Sequence, residues 1–151
     1  MAIAAGLTAA EFLVTEQHTP QVLFVCVHNA GRSQLAAAYL SHLSNGAVAV
    51  RSAGTAPRNS INPMVLTVMA EEGIDIVADG GFPKVLEAET VKASDVVITM
   101  GCGDTCPVFP GTRYVDWALE DPADKDIDTV RRIRDDIRVR VEALIQELGI
   151  S

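Results

Sequence analysis

The chain has 151 residues, of which 48% are hydrophobic and 21% charged, a length and composition typical of one compact domain with its own core. Its net charge of −8 opposes long-range attraction to nucleic acid and to anionic lipid, so neither is expected as a partner. No apolar run reaches membrane-spanning length, the first residues lack the basic segment of a signal peptide, and the cysteine count is odd, so we expect a cytoplasmic protein with reduced thiols.

Residues 1–20 precede the first strand pattern and are predicted to form an N-terminal appendage that ends at a proline. Within it, Thr8 and Glu11 have the spacing of a helix cap, so a short helix over residues 8–14 is one interpretation. The appendage is interpreted either as a frayed tail, which we favour, or as an arm that forms a homodimer. Residues 21–151 are predicted to form the main domain.

The main domain begins with a predicted strand and helix. Residues 22–25 are a continuous run of β-forming apolar side chains, which is typical of a strand buried on both faces. A helix is predicted over residues 33–43, because Leu35 and Tyr39 recur at four-residue spacing. A second strand is predicted over residues 47–52.

Strands and helices continue to alternate after the second strand. Residues 63–72 are predicted to be helical, since Asn62 can cap the helix and Pro63 suits its first position. A short helix over residues 86–93 and strands over residues 95–100 and 113–117 follow.

The last helix, from residue 127, has the clearest pattern. Eight apolar residues form one stripe: Ile127, Val130, Ile133, Ile137, Val141, Leu144, Ile145 and Leu148. On the opposite face, Asp135 and Arg138, and Asp136 and Arg140, have the spacing of helical neighbours. This face is interpreted as a solvated surface with salt bridges rather than a binding patch.

This order of elements predicts an α/β fold with three layers, in which a four-stranded, mainly parallel sheet has helices on both faces. In such sheets the active site lies beyond the carboxyl ends of the strands. The segments that follow residues 25, 52, 100 and 117 are therefore the places where functional residues are expected.

The segment after the first strand has the composition of an oxyanion-binding loop. It comprises Cys26, Val27, His28, Asn29, Ala30, Gly31, Arg32 and Ser33. Its backbone N–H groups and the following helix N-terminus can surround a tetrahedral oxyanion. Asn29 and Gly31 tolerate the positive φ that such a loop requires, and the Arg32 guanidinium can bind two anion oxygens. Cys26 would lie at the floor, where the amides, Arg32 and the Ser33 hydroxyl favour its thiolate.

The spacing C-x5-R-S directly after the first strand resembles the signature loop of the low-molecular-weight tyrosine phosphatase family. The Ser-Ala-Gly-Thr sequence at residues 52–55 is also similar to that family. The resemblance implies that Cys26 is the nucleophile and that residues 27–33, including Arg32, bind the oxyanion. His28 is interpreted as structural rather than as a general base. The alternative is that Cys26 is only a buried cysteine at a strand end and Arg32 only a surface residue.

The family also has an Asp-Pro pair after the fourth strand, and Asp121 and Pro122 match it. The resemblance implies that Asp121 protonates the leaving oxygen, a role suited to a carboxylic acid held above the loop. Asp-Pro is also an ordinary turn sequence. Weaker candidates for the acid are Asp116, Glu120 and Asp124.

Two further cysteines, Cys102 and Cys106, follow the third strand, at the same predicted edge of the sheet as Cys26. This arrangement resembles the arsenate reductase branch of the family. The resemblance implies that Cys26 attacks arsenate and that Cys102 then attacks Cys26, releasing arsenite and leaving a disulfide. Cys106 would pass the disulfide outward, and an external dithiol, thioredoxin, would reduce it. Phosphate or sulfate would occupy the same anion site.

No bound cofactor and no metal are expected. Zinc would need four ligands, and beside this cysteine pair there are only scattered histidines. Some relatives bind potassium through an acidic residue on the first helix, where this chain has Ala37.

Two other functions remain open. A plain tyrosine phosphatase would need aromatic walls, and residues 56–59, 118–120 and 123–125 contain none, although weak hydrolysis of aryl phosphates is still expected. A non-catalytic sensor of arsenite or of redox state is the second alternative, in which the three thiols would capture arsenite without turnover.

Overall fold

The computed structural model describes residues 19–101 and 108–150. In chain order the elements are β1 (Gln21–Cys26), α1 (Arg32–Ser44), β2 (Ala49–Gly54), α2 (Pro63–Ala70), α3 (Ala88–Lys92), β3 (Val96–Thr99), β4 (Arg113–Asp116) and α4 (Ile127–Glu147). The four strands are parallel and lie in the order β2-β1-β3-β4. In this part of the chain no helix has both the length and the apolar character needed to span a bilayer.

Strand β1 lies inside the sheet, and its alternating side chains enter two separate hydrophobic clusters. Phe24 is fully buried on the face covered by α1, α2 and α4, where its ring lies 5.7 Å from that of Trp117. Leu23 packs on the other face with Val91 of α3. Burial of each such side chain contributes about 1.5–3 kcal/mol. The predicted three-layer α/β fold with a four-stranded sheet is therefore confirmed.

The helix ends follow from local side-chain chemistry. The Asn62 side chain accepts a hydrogen bond of 2.9 Å from the Met64 N–H, so it caps α2 as predicted. Asp126 caps α4 in the same way, by accepting from the Thr129 N–H at 3.1 Å. Five residues of the predicted stripe on α4 are buried: Val130, Ile133, Ile137, Val141 and Leu144.

Two of the differences from the sequence-based expectation have a clear structural cause. Strand β2 lies two residues later than predicted, because it pairs residue by residue with β1 from Gln21 opposite Ala49 onward. The predicted pair of Asp135 with Arg138 is wrong. Arg138 instead contacts Glu72, at 3.0 Å, because a partner on the neighbouring segment is within reach. Apart from its last two residues, the predicted N-terminal appendage lies outside the described residues.

Candidate active site

The loop between β1 and α1 surrounds the sulfur of Cys26, which is 2% exposed. The sulfur lies 3.0 Å from the Ser33 hydroxyl oxygen and accepts a hydrogen bond of 3.3 Å from the Asn29 N–H. Hydrogen bonds donated to sulfur stabilise negative charge on it, as does the N-terminus of α1. The loop therefore places hydrogen-bonding groups of Asn29 and Ser33 around the Cys26 sulfur.

Asn29 holds the shape of this loop. It is fully buried and has a φ of 49°, in the left-handed region. Its side-chain amide donates to the Ser33 hydroxyl at 2.6 Å, and its side-chain carbonyl accepts from the Lys84 N–H at 2.8 Å. The conformation of the loop is thus fixed both from inside the site and from the segment behind it.

Gln34, at the start of α1, strengthens this support and was not identified from the sequence. Its buried side-chain amide donates to the carbonyl of Asn29 at 3.1 Å and to the carbonyl of Phe82 at 3.0 Å. Two hydrogen bonds from one amide connect the oxyanion loop to residues 82–84. A polar residue inside the apolar pattern of α1, directly after Ser33, is the sequence signal that indicates such a role.

The Arg32 guanidinium lies beside Cys26 and is only partly satisfied. It donates to the Leu119 carbonyl at 3.3 Å and contacts the Asp121 carboxylate at 3.4 Å, with its side chain 9% exposed. Its Nε is buried, and none of the described residues accepts a hydrogen bond from it. A buried donor without a partner costs about 1–3 kcal/mol, which a bound oxyanion can recover.

Gly101 lies close to the Arg32 guanidinium. It has a φ of +86°, which favours glycine, and any side chain at this position would collide with Arg32. The chain therefore passes close to the Arg32 guanidinium as it leaves β3. The next residue in the sequence is Cys102. Both Cys102 and Cys106 lie outside the described residues.

Asp121, in the loop after β4, lines a cavity over Cys26 together with Arg32. One carboxylate oxygen contacts Arg32, and the other accepts from the Ala123 N–H at 3.0 Å, while the side chain is 45% exposed. Pro122 packs so closely on Gly31 that an added β-carbon there would lie 2.7 Å from the proline ring. The Asp-Pro turn thus rests directly on the oxyanion loop.

The weaker acid candidates are placed differently. Asp116 accepts a hydrogen bond from the Thr99 hydroxyl at 2.7 Å, and Glu120 pairs with Lys125 at 3.6 Å. Asp124 lines a neighbouring groove, which is formed mainly by residues 57–64 and 123–125. Of the acidic candidates, Asp121 is the one that lines the cavity over Cys26.

The cavity over the sulfur is small. It is lined by Cys26, His28, Ala30, Gly31, Arg32, Arg58, Asn62, Asp121, Pro122 and Ala123. His28 supplies the aromatic ring of this lining, and its Nδ1 is buried without a partner among the described residues. Arg58 was not identified from the sequence, although it is the cation of the segment that follows the second strand. Within the two described ranges, no group of three or more potential metal ligands is found.

A buried thiol among hydrogen-bond donors, an arginine with an unmet donor and a carboxylate define a class of enzymes that attack tetrahedral oxyanions through cysteine. The sequence model of the low molecular weight phosphotyrosine protein phosphatase family matches residues 21–150. The chain belongs to this family, which confirms the resemblance inferred from the C-x5-R-S loop.

Several relatives of known structure or sequence are arsenate reductases. A thioredoxin-dependent arsenate reductase of Corynebacterium glutamicum is 46% identical with a TM-score of 0.77, over 94% of this chain and 67% of that one. An arsenate reductase in the phosphate binding state is 34% identical with a TM-score of 0.75, over 87% and 99%. The glutaredoxin arsenate reductase of Synechocystis is 35% identical over 132 residues, which cover 85% of this chain and 98% of that protein.

Proposed function

We propose that this protein is an arsenate reductase in which Cys26 is the nucleophile. Disulfide exchange with Cys102 and then Cys106 returns Cys26 to its reduced form. The observation that carries the proposal is the single small cavity that brings Cys26, Arg32 and Asp121 together. Arg32 has an unmet buried donor there, so the cavity suits a tetrahedral anion. The arsenate reductases among its relatives support arsenate as that anion.

The lining of the cavity supports a small inorganic substrate. Apart from His28, its side chains are not aromatic, so a phenyl ring would find little surface for stacking. Arsenate has the shape and charge of phosphate and needs no such walls. Phosphate and sulfate are expected to compete for the same loop.

In the first step, the Cys26 thiolate attacks arsenic and forms a sulfur–arsenic bond. An arsenic–oxygen bond breaks, Asp121 donates a proton to the departing oxygen, and water leaves. The Asp121 carboxyl group must first separate from Arg32. The Arg32 guanidinium then turns its N–H groups toward the anion. Arg32, the loop amides and the helix N-terminus stabilise the charge that develops on the arsenate oxygens.

In the second step, the Cys102 thiolate attacks the sulfur of Cys26. The sulfur–arsenic bond breaks and its electron pair stays on arsenic, so arsenite leaves and a Cys26–Cys102 disulfide forms. The contact of Gly101 with Arg32 supports this step, because the chain segment that continues to Cys102 starts at the guanidinium. Cys106 then attacks Cys102, which frees Cys26 and moves the disulfide outward.

An external dithiol, for which we propose thioredoxin, reduces the Cys102–Cys106 disulfide and is itself oxidised. The thioredoxin-dependent relative from Corynebacterium supports this donor, whereas the Synechocystis relative carries glutaredoxin in its name. Such a cycle requires a reducing compartment, which is consistent with a cytoplasmic location. Turnover with each donor in turn distinguishes the two.

Single cysteine variants test the relay. Cys26→Ser should abolish arsenate reduction and aryl phosphate hydrolysis, because both need the nucleophile. Cys102→Ser and Cys106→Ser should retain hydrolysis but lose multiple turnovers of arsenate. Mass spectrometry of the wild type after one equivalent of arsenate should find a disulfide between Cys102 and Cys106. Normal arsenate turnover with thioredoxin by Cys102→Ser would overturn the relay.

The family membership favours one second candidate function, a protein tyrosine phosphatase. A comparison of kcat/KM for arsenate, with the reductant present, and for a phosphotyrosine peptide decides between the two. We expect arsenate to be the better substrate and aryl phosphates to be hydrolysed weakly. Stoichiometric capture of arsenite without turnover would instead indicate a sensor.

A further inference from the structure

Residues 54–62 form a second wall of the site, beside the oxyanion loop. Backbone N–H groups of this wall donate to carbonyls of the oxyanion loop: Thr55 to Cys26 (3.2 Å), Ala56 to Val27 (2.8 Å), Arg58 to His28 (3.0 Å) and Asn62 to Ala30 (2.9 Å). The position of Arg58 relative to the nucleophile is therefore set by backbone hydrogen bonds on both sides of it in the sequence.

The Arg58 side chain remains available to a ligand. It is exposed and lines both the cavity over Cys26 and a groove of about 740 Å³ outside it. Within the described residues its guanidinium makes no hydrogen bond or ion pair. The other arginines of this part of the chain each donate through the guanidinium to a protein oxygen. Among the described residues, Arg58 is therefore the arginine whose guanidinium has no protein partner, and it lies at the mouth of the site.

The negative charges of the substrate and the thiolate favour a second cation at this site. The dianion is a major form of arsenate near neutral pH, as for phosphate groups, and the attacking thiolate adds a further negative charge. Within the cavity, Arg32 is the other cation, and it also contacts Asp121. The N-terminus of α1 contributes about half a positive charge. The chain as a whole carries a net charge of −8, which repels an anion that approaches from a distance.

We propose that Arg58 is a second cation of this site, which captures doubly charged tetrahedral oxyanions at the mouth and selects them over singly charged ones. This role rests on the proposed function for its natural substrate, arsenate. The attraction between Arg58 and an anion requires only that the oxyanion loop at Cys26 binds that anion. Because the backbone of Arg58 is fixed and its side chain is free, the guanidinium can move onto the anion without a change in the fold.

Protection of Cys26 against iodoacetamide measures anion capture in the full-length reduced protein, with alkylation at Cys26 read from its peptide by mass spectrometry. In Arg58→Gln, the sulfate concentration that gives half protection should rise about tenfold, the size expected for the loss of one nearby charge. Perchlorate, a tetrahedral monoanion, should be affected much less. Arg58→Lys should retain most of the sulfate protection, because it keeps the charge.

Arg51→Gln is the matched control, because it removes the same charge from an exposed arginine that does not line the cavity. The proposal is overturned if Arg58→Gln weakens sulfate protection no more than Arg51→Gln does, or if sulfate does not protect the wild type. In arsenate reduction, Arg58→Gln should raise KM about tenfold with little change in kcat. Sulfate protection that depends on Arg58, in a protein without arsenate turnover, would refute the proposed function and leave the role of Arg58 standing.

Discussion

Arg134 on α4 and Arg32 at the start of α1 are both nearly buried, with side chains 11% and 9% exposed, but their guanidinium groups are satisfied to different extents. Arg134 donates to the Val68 carbonyl at 2.9 Å, to Glu71 at 2.8 Å and to Asp135 at 2.8 Å. The contacts of Arg32 are longer, at 3.3 and 3.4 Å, and its Nε lacks a partner among the described residues.

This difference separates a structural arginine from a ligand-binding one. The protein accepts the hydrogen bonds of the Arg134 guanidinium, so Arg134 adds stability to the packing of α2 and α4 without leaving a donor for a ligand. The site around Arg32 keeps a donor unmet within a cavity, at a cost to stability that a bound oxyanion reverses. Burial and residue type are alike in both places, and the number and the length of the contacts with protein oxygens distinguish the two arginines.

The largest effect is expected for Arg32→Lys, which keeps the positive charge but removes the planar guanidinium and its paired N–H donors. We expect kcat/KM for arsenate to fall about 100-fold or more, since donors to the developing charge are lost. The melting temperature should change little, because an unpartnered buried Nε is removed at the same time. Arsenate turnover and thermal unfolding measure the two quantities.

The matched variant is Arg134→Lys, which should show the reverse pattern. Turnover should persist, while the melting temperature decreases because the Val68 carbonyl and Glu71 lose donors. If the two variants lose the same stability, or if Arg134→Lys loses as much activity as Arg32→Lys, the distinction between the two arginines is wrong.

An intermediate effect is expected for Gln34→Met, which keeps the volume but removes both amide donors to the Asn29 and Phe82 carbonyls. We expect kcat to fall about tenfold as the oxyanion loop loses its support. The rate of Cys26 alkylation by iodoacetamide at a fixed pH should also change, because the Asn29 N–H no longer holds its place at the sulfur. Gln146→Met, at an exposed position of α4, is the control. An unchanged rate of Cys26 alkylation in Gln34→Met would mean that Gln34 only contributes to packing.

The smallest effect is expected for Glu71→Gln in the helix layer, and it should depend on pH. Hydrogen bonds from Arg131, and then from Arg134, lower the pKa of Glu71 below its usual 4.5. A lowered carboxylate pKa stabilises the fold at pH values above 4.5, and this stability is lost as the pH falls through the pKa of the folded protein. Melting temperatures measured from pH 7 to pH 3 should therefore show a deficit for Glu71→Gln that disappears at the acid end.

Glu142→Gln, which removes an exposed carboxylate 3.6 Å from Arg138, is the control for this titration and should produce a smaller deficit. A Glu71→Gln deficit that is constant over the whole pH range would show that the charge of Glu71 is not what stabilises the layer.

The sequence predicted the two inner strands well because β1 and β3 are buried on both faces and therefore have continuous apolar runs, as in residues 22–25. The topology of a parallel sheet then places the segments after Cys26 and after Asp116 at the same edge. For this reason the closeness of Cys26 and Arg32 to the segment after β4 could be expected without coordinates, and the family resemblance selected Asp121 within that segment.

Features that depend on contacts between distant segments could not be predicted. The nearest carboxylate to Arg138 is that of Glu72, ahead of Glu142, and not that of Asp135. Phe82 supports the oxyanion loop through Gln34, although no sequence pattern links the two residues. The freedom of the Arg58 side chain also depends on which carboxylates lie near it in the fold. Such details depend on tertiary geometry, which periodicity and residue type do not encode.

The contact between Gly31 and Pro122 has a consequence for the range of chemistry that this scaffold can accept. Because the turn that carries Asp121 packs on Gly31 of the oxyanion loop, an outward movement of this turn would separate Asp121, the proposed proton donor, from Cys26, the proposed nucleophile. A bulkier ester cannot be admitted by swinging that turn outward without losing the alignment of the proton with the departing atom. Redesign toward larger substrates would therefore have to widen the opposite wall.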